Sequence, residues 1–327
     1  MTGQPDILPP EELWATPNGQ VLDLYPDSRT VFDLNVERLE AVCPSRSPIT
    51  VPAERGAHVT KVRADAREVL GVGDHSDLPI YARIITESEV DGYACEKLFF
   101  FSEPGITVTA VVVHPKADAV RTDIVLFENG TTDIPDRREW MEARLAEGVR
   151  LCVFDARGIG AVRTRTFNNR RGVHADSYKL ACDAMMLGVS TLGGRVSDVV
   201  RAYDYLSTRD DVADIGIYAV GRAAIDGYFA AALIGDLERA EFVDMLYSFR
   251  HLTDTRYYNR DLYGLDTMAY GLLTRLDLVD LLPCFGSGAP TFVSPRDATG
   301  EALSDAEFDV RFMGVAREHG YLAGAKS

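Results

Sequence analysis

The chain has 327 residues, 46% of them hydrophobic, with a formal net charge of −16 at pH 7 and five cysteines. That length suits one large α/β domain with an additional segment, or two small domains, and the apolar fraction is ample for a substantial core. The acidic balance, with no basic cluster interleaved with aromatics, argues against nucleic acid or an anionic membrane as partner, and no apolar run reaches the length of a membrane span. Residues 1–10 lack the basic and apolar parts of a signal peptide, and Cys43, Cys95, Cys152, Cys182 and Cys284 are scattered without a C-x-x-C pair. Free thiols in a reducing cytoplasm are the expectation.

Gly19–Tyr25 (GQVLDLY) alternates like a strand, and Val31–Val42 (VFDLNVERLEAV) has apolar residues at helical spacing. Breakers follow between Pro44 and Pro52. Residues 1–60 therefore read as an accessory segment and 61–327 as the main domain, which opens on an amphipathic helix over 61–70. Glu96–Ser102 and Ile106–His114 are two strands joined as a hairpin by Glu103-Pro104-Gly105. Asp123–Phe127 (DIVLF) is a buried strand, closed by Glu128-Asn129-Gly130-Thr131-Thr132. A helix over Pro135–Glu147 and a buried strand over Val149–Phe154 come next, then a turn (DARGIG) and a charged excursion, Arg163–Tyr178.

Gly194–Leu206 (GRVSDVVRAYDYL) sets Val196, Val199, Val200, Tyr203 and Leu206 on one helical face. In Asp214–Leu233 (DIGIYAVGRAAIDGYFAAAL) a short buried strand over Ile215–Ala219 meets a tight turn and an alanine-rich helix from Ala223. Phe242–Tyr247 is the next strand, 249–288 mixes loops and helices, Pro290–Ser294 is the last strand and Ser304–Glu318 the last helix. Such alternation predicts an α/β fold with a mainly parallel sheet, helices on both faces and the hairpin as an antiparallel edge. Residues 163–190 or 249–282 would supply a cap or insert.

A strand, a sharp turn and a helix laid back on the strand is the setting of the nucleophile elbow, G-x-S-x-G, of α/β-hydrolases. Here the five positions are Ala219-Val220-Gly221-Arg222-Ala223. The run DARGIGAV (155–162) resembles the D-x-R-G-x-G-x-S turn of that superfamily. The runs 187–221 and 282–300 (LPCFGSGAPTFVSPRDATG) resemble its acetylxylan-esterase, cephalosporin-deacetylase and dipeptidyl-peptidase-like branch. The resemblance covers roughly residues 90–300. It implies that Gly221 stands at the nucleophile position, that the Arg222 N–H is one oxyanion-hole donor with Gly130 or Thr131 as the second, and that Asp297 is the triad acid. The histidine is expected on a loop after one further strand, but most of the thirty residues after Asp297 read as a helix and the ending GYLAGAKS contains no histidine. Without a hydroxyl and a base, the acyl-enzyme route is closed.

Glycine adopts the strained elbow conformation almost free, so Gly221 keeps the turn, and a plain turn is the simpler reading. The helix N-terminus with the Arg222 guanidinium suits a carboxylate or phosphate ligand; alternatively Arg222 pairs with Asp226 at i+4. Of the six histidines, His251, just beyond a strand, is the candidate acid/base, whereas His319 suits the end of the last helix and His174 with Asp176 lies in the charged excursion. Asp297 is either a base or the cap of its own loop, and Asp155 and Arg157 organise their turn. The histidines lack metal-ligand spacing, there is no P-loop, and Gly158-Ile159-Gly160 falls short of a dinucleotide fingerprint, so neither metal nor cofactor is expected.

Three functions remain open. The first is a serine-less, esterase-like protein whose pocket holds a small acyl, carbohydrate-derived or anionic ligand, as a homodimer or beside an active paralogue. The second is a lyase, cyclase or non-covalent hydrolase using the oxyanion-type N–H groups with Asp297 or His251 as base. The third is an ester hydrolase with its nucleophile elsewhere, such as Ser248.

Overall fold

A computed structural model describes residues 7–75, 77–166, 175–235, 237–286 and 289–322. The chain divides into two units, Met1–Val42 and Cys43–Ser327. In the first, a helical turn α1 (Val21–Leu24) precedes the helix α2 (Val31–Val42). Gly19–Tyr25 thus does not form the expected strand. A lone strand leaves its backbone groups unpaired, whereas a helical turn closes Tyr25 N–H onto Val21 C=O at 2.8 Å.

The second unit opens with α3 (Pro52–Leu70), longer than the predicted 61–70. Pro52 fits the first turn, where its missing N–H costs nothing, and the Glu54 carboxylate accepts from the Thr50 and Val51 N–H groups. The sheet has eight strands: β1 (Arg83–Val90), β2 (Tyr93–Glu103), β3 (Ile106–Val113), β4 (Arg121–Leu126), β5 (Val149–Asp155), β6 (Ile215–Val220), β7 (Arg239–Val243) and β8 (Thr291–Val293). Their spatial order is β1-β2-β3-β5-β4-β6-β7-β8. From β1 to β5 neighbours run antiparallel; β5, β4, β6, β7 and β8 are parallel. The mainly parallel sheet with an antiparallel edge is present. β1 is an addition: all eight of its residues are exposed, so no apolar alternation marks it.

Further helices are α4 (Arg138–Ala146), α5 (Asp176–Met186), α6 (Thr191–Ser207), α7 (Arg222–Ile234) and α8 (Phe249–Asp254). Alternation along the central strands divides the core in two. Ile124, Ile217 and Ala219 face α3, α6 and α7, whereas Val125, Val153 and Tyr218 face Met141 and Leu145 of α4. The strand predicted over Phe242–Tyr247 ends at Val243, because the chain turns at Asp244 with φ of 56°. After β8 the chain is helical from Asp305 to Glu318 through a wide turn at Asp309–Met313, with no further strand among the described residues.

Candidate functional site

At the C-terminal edge of the sheet, β6 delivers the chain into Gly221, which has φ 62° and ψ −129° and opens α7. In that region a side chain costs about 1–3 kcal/mol. The Gly221 N–H donates to Val243 C=O at the end of β7 (2.8 Å), pinning the turn between two strands. Strain is only half of the matter. A Cβ placed on Gly221 would collide with the carboxylate of Glu128 and lie 2.7 Å from its Cγ. That carboxylate accepts the Arg222 N–H (3.2 Å), and the Arg222 Nε lies 4.0 Å from the same oxygen. The donor at the start of α7 therefore holds an anion supplied by the chain itself. No ion pair joins Arg222 to Asp226 among the described residues; Arg222 turns to Glu128 instead of to its i+4 neighbour.

The proposed second donors are committed elsewhere. Gly130 N–H closes a turn onto Phe127 C=O (3.0 Å), and Thr131 N–H donates to Asp155 Oδ1 (2.6 Å). The Asp155 carboxylate, fully buried, also accepts from the hydroxyls of Thr131 (2.7 Å) and Thr109 (2.9 Å) and from Ala161 N–H (3.1 Å). Gly130 sits so close to it that a Cβ there would stand 3.1 Å from Asp155 Cγ. Next to this knot, the Arg157 guanidinium grips Asp198 of α6 with Nε at 2.9 Å and Nη2 at 2.6 Å, while Arg157 N–H donates to the same carboxylate. Asp155 and Arg157 thus tie two turns and a helix together.

Asp226 lies one helical turn beyond Arg222 and is 6% exposed, and its carboxyl group makes no hydrogen bond or ion pair with any described residue. Burial pushes its carboxyl up to about 7. Arg195 and Arg222 oppose that rise, Asp266 and Asp198 add to it, and Arg195 itself pairs with Asp266 at 3.2 Å. A carboxyl poised to keep its proton near neutrality is thus held behind the elbow.

The other candidates belong to other segments of the chain. Asp297 Oδ1 accepts from Thr299 N–H (2.8 Å), Thr299 hydroxyl (2.7 Å) and Glu301 N–H (3.1 Å), which caps its own loop. Burial alone would raise its carboxyl, but these hydrogen bonds outweigh it and hold the group low. The His251 ring lies 5.2 Å from that of Tyr247, tilted by 41°, beside Ser248, Arg250 and Arg311 in a cavity of about 340 Å³. Burial lowers its pKa against the pull of Asp297. Ser248 caps α8: its hydroxyl donates to Asp277 (2.6 Å) and accepts His251 N–H (3.2 Å). His319 ends the last helix with Nδ1 2.9 Å from Val315 C=O, and His174 lies outside the described residues. Among the described residues, no three His, Cys, Asp or Glu side chains converge as metal ligands.

No protein-family model matches the chain, and no curated protein does. Solved structures do. A candidate acetyl xylan esterase from Bacteroides fragilis NCTC 9343 superposes with a TM-score of 0.64 at 13% identity, over 82% of this chain and 76% of that one. The methylesterase BT1017 gives 0.55 at 14% identity, over 89% of this chain and 60% of its own. An acetyl xylan esterase from Paenibacillus sp. R4 gives 0.50 at 12% identity, over 86% and 99%. The fold is that of the α/β-hydrolases.

Within this α/β-hydrolase fold the decisive residue escaped the motif search. Glu128 belongs to no elbow motif, but strand register places it. β4 and β6 are parallel neighbours with Leu126 opposite Ala219. Two residues further on, Glu128 comes level with Gly221. A carboxylate two residues past a strand that abuts the elbow strand was the available signal.

Proposed function

We propose that this chain is a serine-less, esterase-like protein that does not hydrolyse esters through a Ser–His–Asp triad and serves as a binding or partner module. One observation carries this reading: the Glu128 carboxylate occupies the space of a nucleophile side chain and takes the Arg222 N–H. Acyl transfer needs that N–H free for the developing oxyanion, with a second donor beside it. Here the Gly130 and Thr131 N–H groups are spent on Phe127 and Asp155. The esterases among the structural neighbours support an acyl or acylated-carbohydrate ligand. The test is p-nitrophenyl acetate turnover together with fluorophosphonate labelling of the full chain. Stoichiometric serine labelling with turnover refutes the reading.

A second reading has a specific observation behind it. Glu128, partly open to solvent, and Asp226, buried and protonated in part near pH 7, are two carboxyl groups in unlike surroundings on either side of Arg222. Such a pair suits general acid–base chemistry without a covalent intermediate. Under this reading Glu128 replaces Asp297 and His251 as base, and Glu128→Gln abolishes turnover of a lyase-type substrate without loss of stability.

A further inference from the structure

On the α4 side of the sheet, Tyr93, Cys95 and Lys97 of β2 share one face. Register sets Cys95 opposite Val113 and Lys97 opposite Val111 on β3, with Val153 of β5 beyond Val111. Met141 and Leu145 of α4 cover the β5 side of this face, but over β2 and β3 it stays open as a cavity of about 650 Å³, flanked by Ile85 and Val90 of β1. That volume lies within the usual range for small-molecule sites, about 300–1,000 Å³. Its surroundings are mostly apolar.

The charges around the cavity are nearly all committed. Arg138 pairs with Asp91 (3.0 Å) and Glu142 (2.9 Å), and Asp155 is enclosed by its four donors. Lys116 places its ammonium over the Tyr93 ring at 5.0 Å. Lys97 differs. Its exposed side chain makes no hydrogen bond or ion pair with any described residue, stands midway along an apolar face, and its charge reaches the Cys95 thiol. A lysine there lays its methylene stem along the groove and needs an anion, or water, at its tip.

We propose that this groove binds an amphiphilic monocarboxylate, its hydrocarbon or aromatic body against Cys95, Val111 and Met141 and its carboxylate on the Lys97 ammonium. One uncommitted positive charge selects one negative charge, and Asp91 and Glu142 at the rim disfavour a second. The site shares no residue with Gly221, Glu128 or Arg222, so it stands whether or not the elbow reading does.

The test is titration of the full chain, labelled at valine and methionine methyls, with octanoate, octanol and octylammonium. Octanoate should shift the Val111, Val113 and Met141 methyls saturably. Lys97→Ala should weaken octanoate about tenfold, the loss of one charged hydrogen bond, leave octanol unchanged, and recover with Lys97→Arg. Equal octanoate affinity in the parent and Lys97→Ala overturns the proposal. So does preference for octylammonium, absence of saturable shifts in the folded parent, or self-association that buries these methyls before any octanoate is added.

Discussion

Glu128 and Gly221 share one space: the carboxylate of the first stands where the side chain of the second would begin, held there by the Arg222 N–H at 3.2 Å. Gly221→Ser must therefore both adopt a left-handed backbone and displace Glu128. Backbone strain alone costs about 1–3 kcal/mol, and the collision adds to it. Urea unfolding should show this loss without any gain of esterase activity. In the double variant with Glu128→Ala, part of the loss should return as a favourable coupling of about 0.5–3 kcal/mol. Strict additivity of the two would mean that the residues do not compete.

Asp226 makes stability pH-dependent with a definite sign. Its folded pKa, about 7, lies above the roughly 3.9 of an unfolded aspartate. The native state thus binds the proton more tightly, and the contribution is fully present below the unfolded value and is lost as pH rises through the folded one. Between about pH 4 and about pH 8 the loss amounts to up to roughly 4 kcal/mol. Asp226→Asn should flatten this slope and make the protein more stable than the parent at alkaline pH. Thermal unfolding across that range reads it, and parallel profiles for the two proteins would contradict it.

Ser248 caps α8, accepting His251 N–H and donating to Asp277. Ser248→Ala should cost about 1 kcal/mol, typical of a lost N-cap, and should not alter fluorophosphonate labelling. A labelled peptide containing Ser248 would reverse this assignment.

Arg157 holds a carboxylate that has no access to water, since Asp198 is 0% exposed. Arg157→Ala leaves that charge buried and should destabilise by about 3–5 kcal/mol. Arg157→Lys should recover only part, because one ammonium cannot make the two-pronged contact. Chemical denaturation of the three proteins gives the comparison.

The layered α/β architecture was legible because its buried strands carry apolar runs that no surface segment imitates: DIVLF and VRLCVF fall within or close to β4 and β5. The edge strand β1 was not, since RIITESEV is exposed throughout and carries no core-facing period. The tight turn at Gly221 was legible locally, as a strand, a glycine and an alanine-rich helix in succession. What fills the elbow could not be read locally. Glu128 lies 94 residues before Arg222, whose N–H it takes, and meets the Gly221 turn only because β4 and β6 are parallel neighbours in register. Thr131 failed as a free donor for a similar reason: its partner, Asp155, comes from the next strand over. Asp297 was left between base and cap, and three hydrogen bonds within its own loop fall on its Oδ1.

The parallel alignment of β4 and β6 also bears on change at this corner. As long as a glutamate stands at 128, a residue larger than glycine at 221 must move that side chain aside and loosen its hold on the Arg222 N–H. The two positions are therefore coupled: a change at one alters what the other tolerates, although they come from different strands.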